Sequence, residues 1–359
     1  MKSDAMVEHP HHAHHHKSNM DAGTRAIVNA NAKLSNPLHG IPHDCLMTDV
    51  EIFAQERGLT HLLSELKKGV LVAQGSTRHN RLDILSDEEN QILTEEVTHK
   101  WRQMPMLYYM VVMSSLAAAV QGMEQAVING AQIIYPMQFG IGDFNSKWLV
   151  GLINSAPYIC CAIISCWMTH PLNHYLGRKK TIFITCMISF LTCIWLGSTN
   201  TWWHLFIARF FLGFGIGPKS TTIPVYTAEC SPAPICGALV MMWQMWTAFG
   251  IALGDLIDLV FYFILDTPGM TGLNWRLMLS SASFPGLIVC LQVLFAPESP
   301  CWLISKGRYE DAFNELCRLF FSRVQAARDL YYIHMFLKAE TETKKGRNRV
   351  VEMFTILRN

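Results

Sequence analysis

A chain of 359 residues with a formal net charge of +1 carries neither the basic excess of a nucleic-acid binder nor an acidic tail. Half of its residues are hydrophobic and only 16% are charged, and the apolar residues are concentrated between 106 and 297. Six consecutive apolar runs of roughly 17–25 residues or more exclude a soluble helix bundle and predict an all-α membrane protein.

Residues 1–105 read as a polar N-terminal region, and 1–47 are expected to be disordered. A histidine tract there (His9, His11, His12, His14, His15, His16) has no second ligand set to close a site, so no metal and no cofactor are expected. The polar start is no cleavable signal peptide, and the first span must direct insertion. Thr48 to Gln74 has helical periodicity through Val50, Phe53, Leu59, Leu62, Leu63 and Leu66. Ser86 and Glu89 form a capping-box pattern opening a helix toward Trp101. These short helices are expected to lie against the face of the membrane domain.

The spans are expected at Leu107–Ile134, Trp148–Met168, Thr181–Gly197, Trp202–Tyr226, Gly237–Phe263 and Leu277–Phe295. Lys100, Arg102, Arg178, Lys179, Lys180, Lys306, Arg308 and Arg318 flank one side, against Lys147 and Arg276 on the other. The positive-inside rule then places both termini in the cytoplasm; the plasma membrane is the expected location, with an internal membrane as the alternative. The region from 298 to 359 reads as a cytoplasmic helical segment, amphipathic from Arg308 to Glu340. The 11 cysteines lack CxxC pairs and are read as small packing residues.

Glu124 stands near the middle of an otherwise uncharged span, at a cost of roughly 2.5–3.5 kcal/mol on insertion scales. Arg209 in span four is its expected partner, while Lys219 is expected to snorkel to the cytoplasmic face. Gln121, Glu124, Gln125, Asn129 and Gln132 share an arc of about 140° on span one. Gln244, Thr247, Asp255 and Asp258 share a face of span five. These faces suit a water-accessible cavity, although Asp255 and Asp258 fit the outer mouth equally well. Gly213, Gly215 and Gly217 on span four, and Gly250 and Gly254 on span five, allow close helix approach.

Five segments carry a family resemblance: QGMEQAVING (121–130), NHYLGRKKT (173–181), ARFFLGFGIG (208–217), PVYTAECSPAPICGALVMMWQ (224–244) and PESPCWL (297–303). From about Gln103 to Leu319 the chain resembles the amino-terminal half of the sugar porter branch of the major facilitator superfamily, closest to fungal sugar and polyol carriers. The resemblance implies proton-coupled or facilitated movement of a sugar or polyol by alternating access. It places Glu124 and Arg209 at the proton-coupling positions. Gln244 falls at the position that hydrogen-bonds sugar hydroxyls, and Gln121 and Gln125 join it as candidate substrate-binding residues. Gly177, Arg178, Glu229 and Glu298 match the cytoplasmic gate. Cys236 and Cys301 stand where the family has arginines, so Glu229 and Glu298 are expected to lose their partners and the gate to weaken.

The chain is expected to be truncated before the family's second six-helix half unless a longer form exists, and relatives bind substrate between two halves. The isolated half is therefore expected not to transport unless it meets the missing half or dimerises with itself. A remnant that inserts without transporting, or a membrane interaction or sensor-like protein, is the alternative. Nothing at a span end has metal-ligand or catalytic spacing, so no enzyme is expected.

Overall fold

The computed structural model describes residues 38, 41–74, 84–143, 146–264 and 271–344. The histidine tract lies outside them. Three short helices form a head: α1 (His43–Glu56), α2 (Leu63–Gln74) and α3 (Asp87–Thr98). Helix α1 begins at His43, inside the stretch expected to be disordered, because Leu46, Val50 and Phe53 have a core to enter. Ser86 and Glu89 do form the reciprocal capping box that starts α3. Among the described residues the head rests chiefly on the helix Arg323–Lys344 rather than on the membrane spans, which corrects the expected docking face.

Six long helices follow. They are α4 (Pro105–Gln138), α5 (Lys147–Tyr175), α6 (Arg178–Gly197), α7 (Trp202–Cys230), α8 (Ala233–Tyr262) and α9 (Leu273–Phe295). Five of them are long and apolar enough to cross a membrane. Helix α7 falls short of that hydropathy because it holds Arg209 and Lys219, both buried by its neighbours. It packs between α5 and α6, while α8 lies along α4 and α9 along α6. Helix α4 loosens at Val127 and α5 widens by a π turn at Cys161–Ser165. Three tail helices complete the described chain: α10 (Pro300–Ser305), α11 (Tyr309–Leu319) and α12 (Arg323–Lys344).

Glycines set the closest helix approaches. A Cβ on Gly122 would come within 2.1 Å of the Thr247 carbonyl, and one on Gly250 within 2.1 Å of the Ala119 carbonyl. Gly213, Gly215 and Gly217 do the same for α7, facing Pro157, Ser189 and Ser165. With lipid tails as apolar as the side chains, such backbone contact is a main source of helix association.

Candidate functional site

Glu124 meets Lys219, not Arg209. The Lys219 ammonium donates to both Glu124 oxygens at 2.9 and 2.8 Å and to Ser189 Oγ at 3.3 Å. Its three N–H donors are thus all placed. Both side chains are essentially inaccessible, at 0 and 1% exposure, so Lys219 does not snorkel. An ammonium at this depth would cost more than its reach to water could recover, and the carboxylate of α4 lies beside it. Pairing offsets a large part of the desolvation penalty of two buried ions.

Arg209 is buried one helix face away, where Nε donates to the Ile153 carbonyl of α5 at 3.1 Å. Its Nη1 has no partner among the described residues, and no ion pair joins it to Glu124. The expected Glu124–Arg209 bridge is therefore absent. Both cations were visible in span four, but sequence alone does not give the axial offset between α4 and α7. Nearby, Gln132, Asn154 and Tyr135 form a chain of hydrogen bonds from α4 to α5, at 2.7 and 3.3 Å.

The polar faces of α4 and α8 meet at the end away from the head. Asn129 donates to Asp255 at 3.3 Å, and the backbone N–H of Gly130 donates to Asp258 at 2.9 Å. That N–H lies in the first turn after the Val127 break, where it would otherwise lack a helical partner. Gln121 is buried with its carbonyl oxygen unpaired among the described residues, Gln125 is half-buried and Gln244 is exposed on α8. The three amides are not gathered into one enclosed pocket.

At the head end, Arg178 grips Glu229 through Nε at 2.8 Å and Nη2 at 2.6 Å, and Ser299 Oγ donates to the same carboxylate at 2.5 Å. Glu298 accepts the backbone N–H groups of Arg178, Lys179 and Ser299, each at 3.0 Å. It thereby caps the start of α6, as a carboxylate at a helix N-terminus should. Gly177 turns the chain there with φ +86°, and a Cβ would press on Glu298 Oε2 at 2.8 Å. Neither glutamate has lost its partner, contrary to the expectation from Cys236 and Cys301. A guanidinium and a helix end from the 173–181 loop supply what the missing arginines do not. Cys236 and Cys301 instead line a cavity of about 660 Å³ beside Glu229, roofed by α2, α3 and α12.

The family described as "Sugar (and other) transporter" matches residues 110–358. The major myo-inositol transporter IolT of Bacillus subtilis is 31% identical over 247 residues, covering 68% of this chain and 50% of the relative. The galactose-proton symporter of Escherichia coli K12 is 28% identical, covering 66% and 48%. The proton:xylose symporter XylE, solved with 6-bromo-6-deoxy-D-glucose, superposes with a TM-score of 0.62 at 24% identity, covering 69% of this chain and 56% of that one. The fold is thus that of the major facilitator superfamily, and these relatives are carriers rather than enzymes. The chain spans about half the length of the curated relatives it matches.

Proposed function

Because the chain belongs to the sugar (and other) transporter family, we propose that it is the amino-terminal wall of a membrane carrier that moves a sugar or polyol together with protons. The observation that carries this reading is the Glu124–Lys219 pair, two opposite charges sealed inside the bundle. Protonating Glu124 cancels the attraction and releases Lys219, which supplies the two-state element a coupled carrier needs. Arg209, buried on the same helix as Lys219, is the alternative partner that Glu124 meets once it deprotonates in the other conformation. Gln121, Gln125 and Gln244 face the solute, donating to and accepting from hydroxyls without charge.

In this reading both termini and the head are cytoplasmic, and the Arg178–Glu229–Glu298 cluster with Gly177 closes the inner gate. A second bundle, from more chain, a separate half or a second copy, completes the solute path. The head, lodged on the tail helices, also fits the second reading, in which the chain inserts and binds partners without transporting.

The test joins the chain to the unmatched part of the B. subtilis relative and measures uptake of labelled myo-inositol, galactose and xylose in proteoliposomes. The chain alone is expected to give no saturable uptake. The joined protein is expected to accumulate one of these solutes when protons flow inward, and Glu124→Gln to exchange it without accumulation. Accumulation by Glu124→Gln would end the coupling role, and saturable uptake by the chain alone would end the half-carrier reading.

A further inference from the structure

We propose that a groove at the head end of the bundle binds one anionic phospholipid. The groove holds about 750 Å³ between the start of α6, the end of α9 and helices α10 and α11. Its wall within the bundle is apolar, built by Phe183 and Ile184 of α6 and Val293 and Leu294 of α9. Its rim carries Lys179, Lys180 and Arg308.

The acids that share the rim are already committed. Asp311 holds Arg308 at 2.7 Å, Glu315 holds Arg318 at 2.7 Å, and Glu298 is filled by backbone N–H groups. Among the described residues neither lysine ammonium has an acceptor; the hydrogen bond of Lys179 is made by its backbone. Two adjacent cations are therefore left uncompensated. Arg178 beside them adds no attraction for an outside anion, since Glu229 neutralises it.

The apolar approach to this rim selects a lipid over a soluble anion. Phe284, Leu287, Leu291 and Leu294 are exposed along α9 at three- and four-residue spacing, a stripe that faces bilayer and runs into the groove. An acyl chain lies along that stripe while the headgroup phosphate meets Lys179 and Lys180. A free phosphate would use the rim alone. A zwitterionic lipid brings its own cation toward the two ammonium groups and binds less well. Basic pockets between spans at the membrane surface take anionic headgroups on this same basis.

The site is tested on the full chain in detergent, by native mass spectrometry with phosphatidylglycerol, phosphatidylcholine and glycerol 3-phosphate. Wild type is expected to retain one phosphatidylglycerol in preference to phosphatidylcholine. Each lysine near a membrane surface is worth about fivefold in affinity, so K179Q/K180Q should weaken retention roughly thirtyfold. If that double variant melts early, K180Q alone, an exposed change, should still show the fivefold loss. Lys100→Gln, outside the groove, should bind as wild type does. Equal retention of both lipids, or undiminished retention by the lysine variants, would overturn the proposal. Glycerol 3-phosphate binding as tightly as the lipid would overturn it too, since no acyl chain would then be recognised.

Discussion

At the scale of single residues, the buried pair decides most. Removing one member of a buried ion pair costs about 3–5 kcal/mol, because the other charge stays behind without a partner. Lys219→Met should therefore lower the melting temperature in detergent sharply, while Glu124→Gln combined with Lys219→Met should recover most of the loss. If Lys219→Met melts like wild type, the pairing is wrong. The same change at Arg209 removes a hydrogen bond to a carbonyl and leaves Glu124 paired, so it should not be rescued by Glu124→Gln. The sequence made Glu124 conspicuous, but it pointed to Arg209 as the partner and assigned Lys219 to the cytoplasmic face. What it lacked was the axial offset of α7 against α4: Gly213, Gly215 and Gly217 seat α7 on α5 and α6, and only the fold shows that this leaves Lys219 beside Glu124. Glu298 was misread for a related reason. Its partners are backbone N–H groups, and a partner without a side chain leaves no mark in a residue pattern.

At the scale of elements, the six spans were legible because hydrophobic length is a property of the local sequence, and the observed helices enclose the expected runs except at Phe263, where α8 ends one residue earlier. Their ends extend outward because polar and aromatic residues continue the helix beyond the apolar stretch. Gly250 and Gly254 were legible as small residues, yet only the fold shows that Gly250 faces the Ala119 backbone. Gly250→Val should drive α4 and α8 apart and destabilise by about 1–3 kcal/mol or more, as overpacking does. Gly151→Ala meets no atom within 4 Å and should leave thermal melting nearly unchanged. A melt in which both variants behave alike would contradict the close α4–α8 contact. In the head, Ser86→Ala removes a capping box and should cost about 1 kcal/mol, read as faster amide exchange in the first turn of α3. No change in exchange there would mean that the cap contributes nothing.

At the scale of the whole molecule, the head and tail are bound into one body. Arg328 of α12 donates to both oxygens of Glu96 at 3.0 and 2.8 Å and to Asp329 at 2.8 Å. Phe53 of α1 meets the rings of Tyr309 and Tyr331 edge-on and lies tilted against His334. Burial, then Arg57 and Lys338, hold the His334 imidazole down to about 4, and Tyr309 hydroxyl lies 3.0 Å from its Nδ1. The unfolded histidine titrates near 6.5, so between these values the unfolded state binds the extra proton. Stability from this contact is full above about pH 6.5 and is lost as pH falls toward 4. Limited proteolysis at the head should accelerate over that window, and His334→Phe should flatten the acid response. An unchanged pH profile in His334→Phe would assign the acid sensitivity elsewhere. None of this docking was legible in the sequence, which showed an amphipathic helix at each end and no signal of which surface each would find.

That long-distance closure also has a clock. Glu96 and Arg328 are 232 residues apart in the chain. At about 5–20 residues per second, a ribosome needs roughly 12–46 s to make the second after the first. Through that interval Phe53, Leu62, Leu66 and Val70 have no α12 to cover them, while six apolar spans emerge and enter the bilayer. The head helices α1 and α2 must therefore wait, shielded by a chaperone or resting on the membrane surface, until α12 arrives. Nascent chains stalled before residue 323 should have a protease-sensitive head, and chains released past residue 344 a protected one.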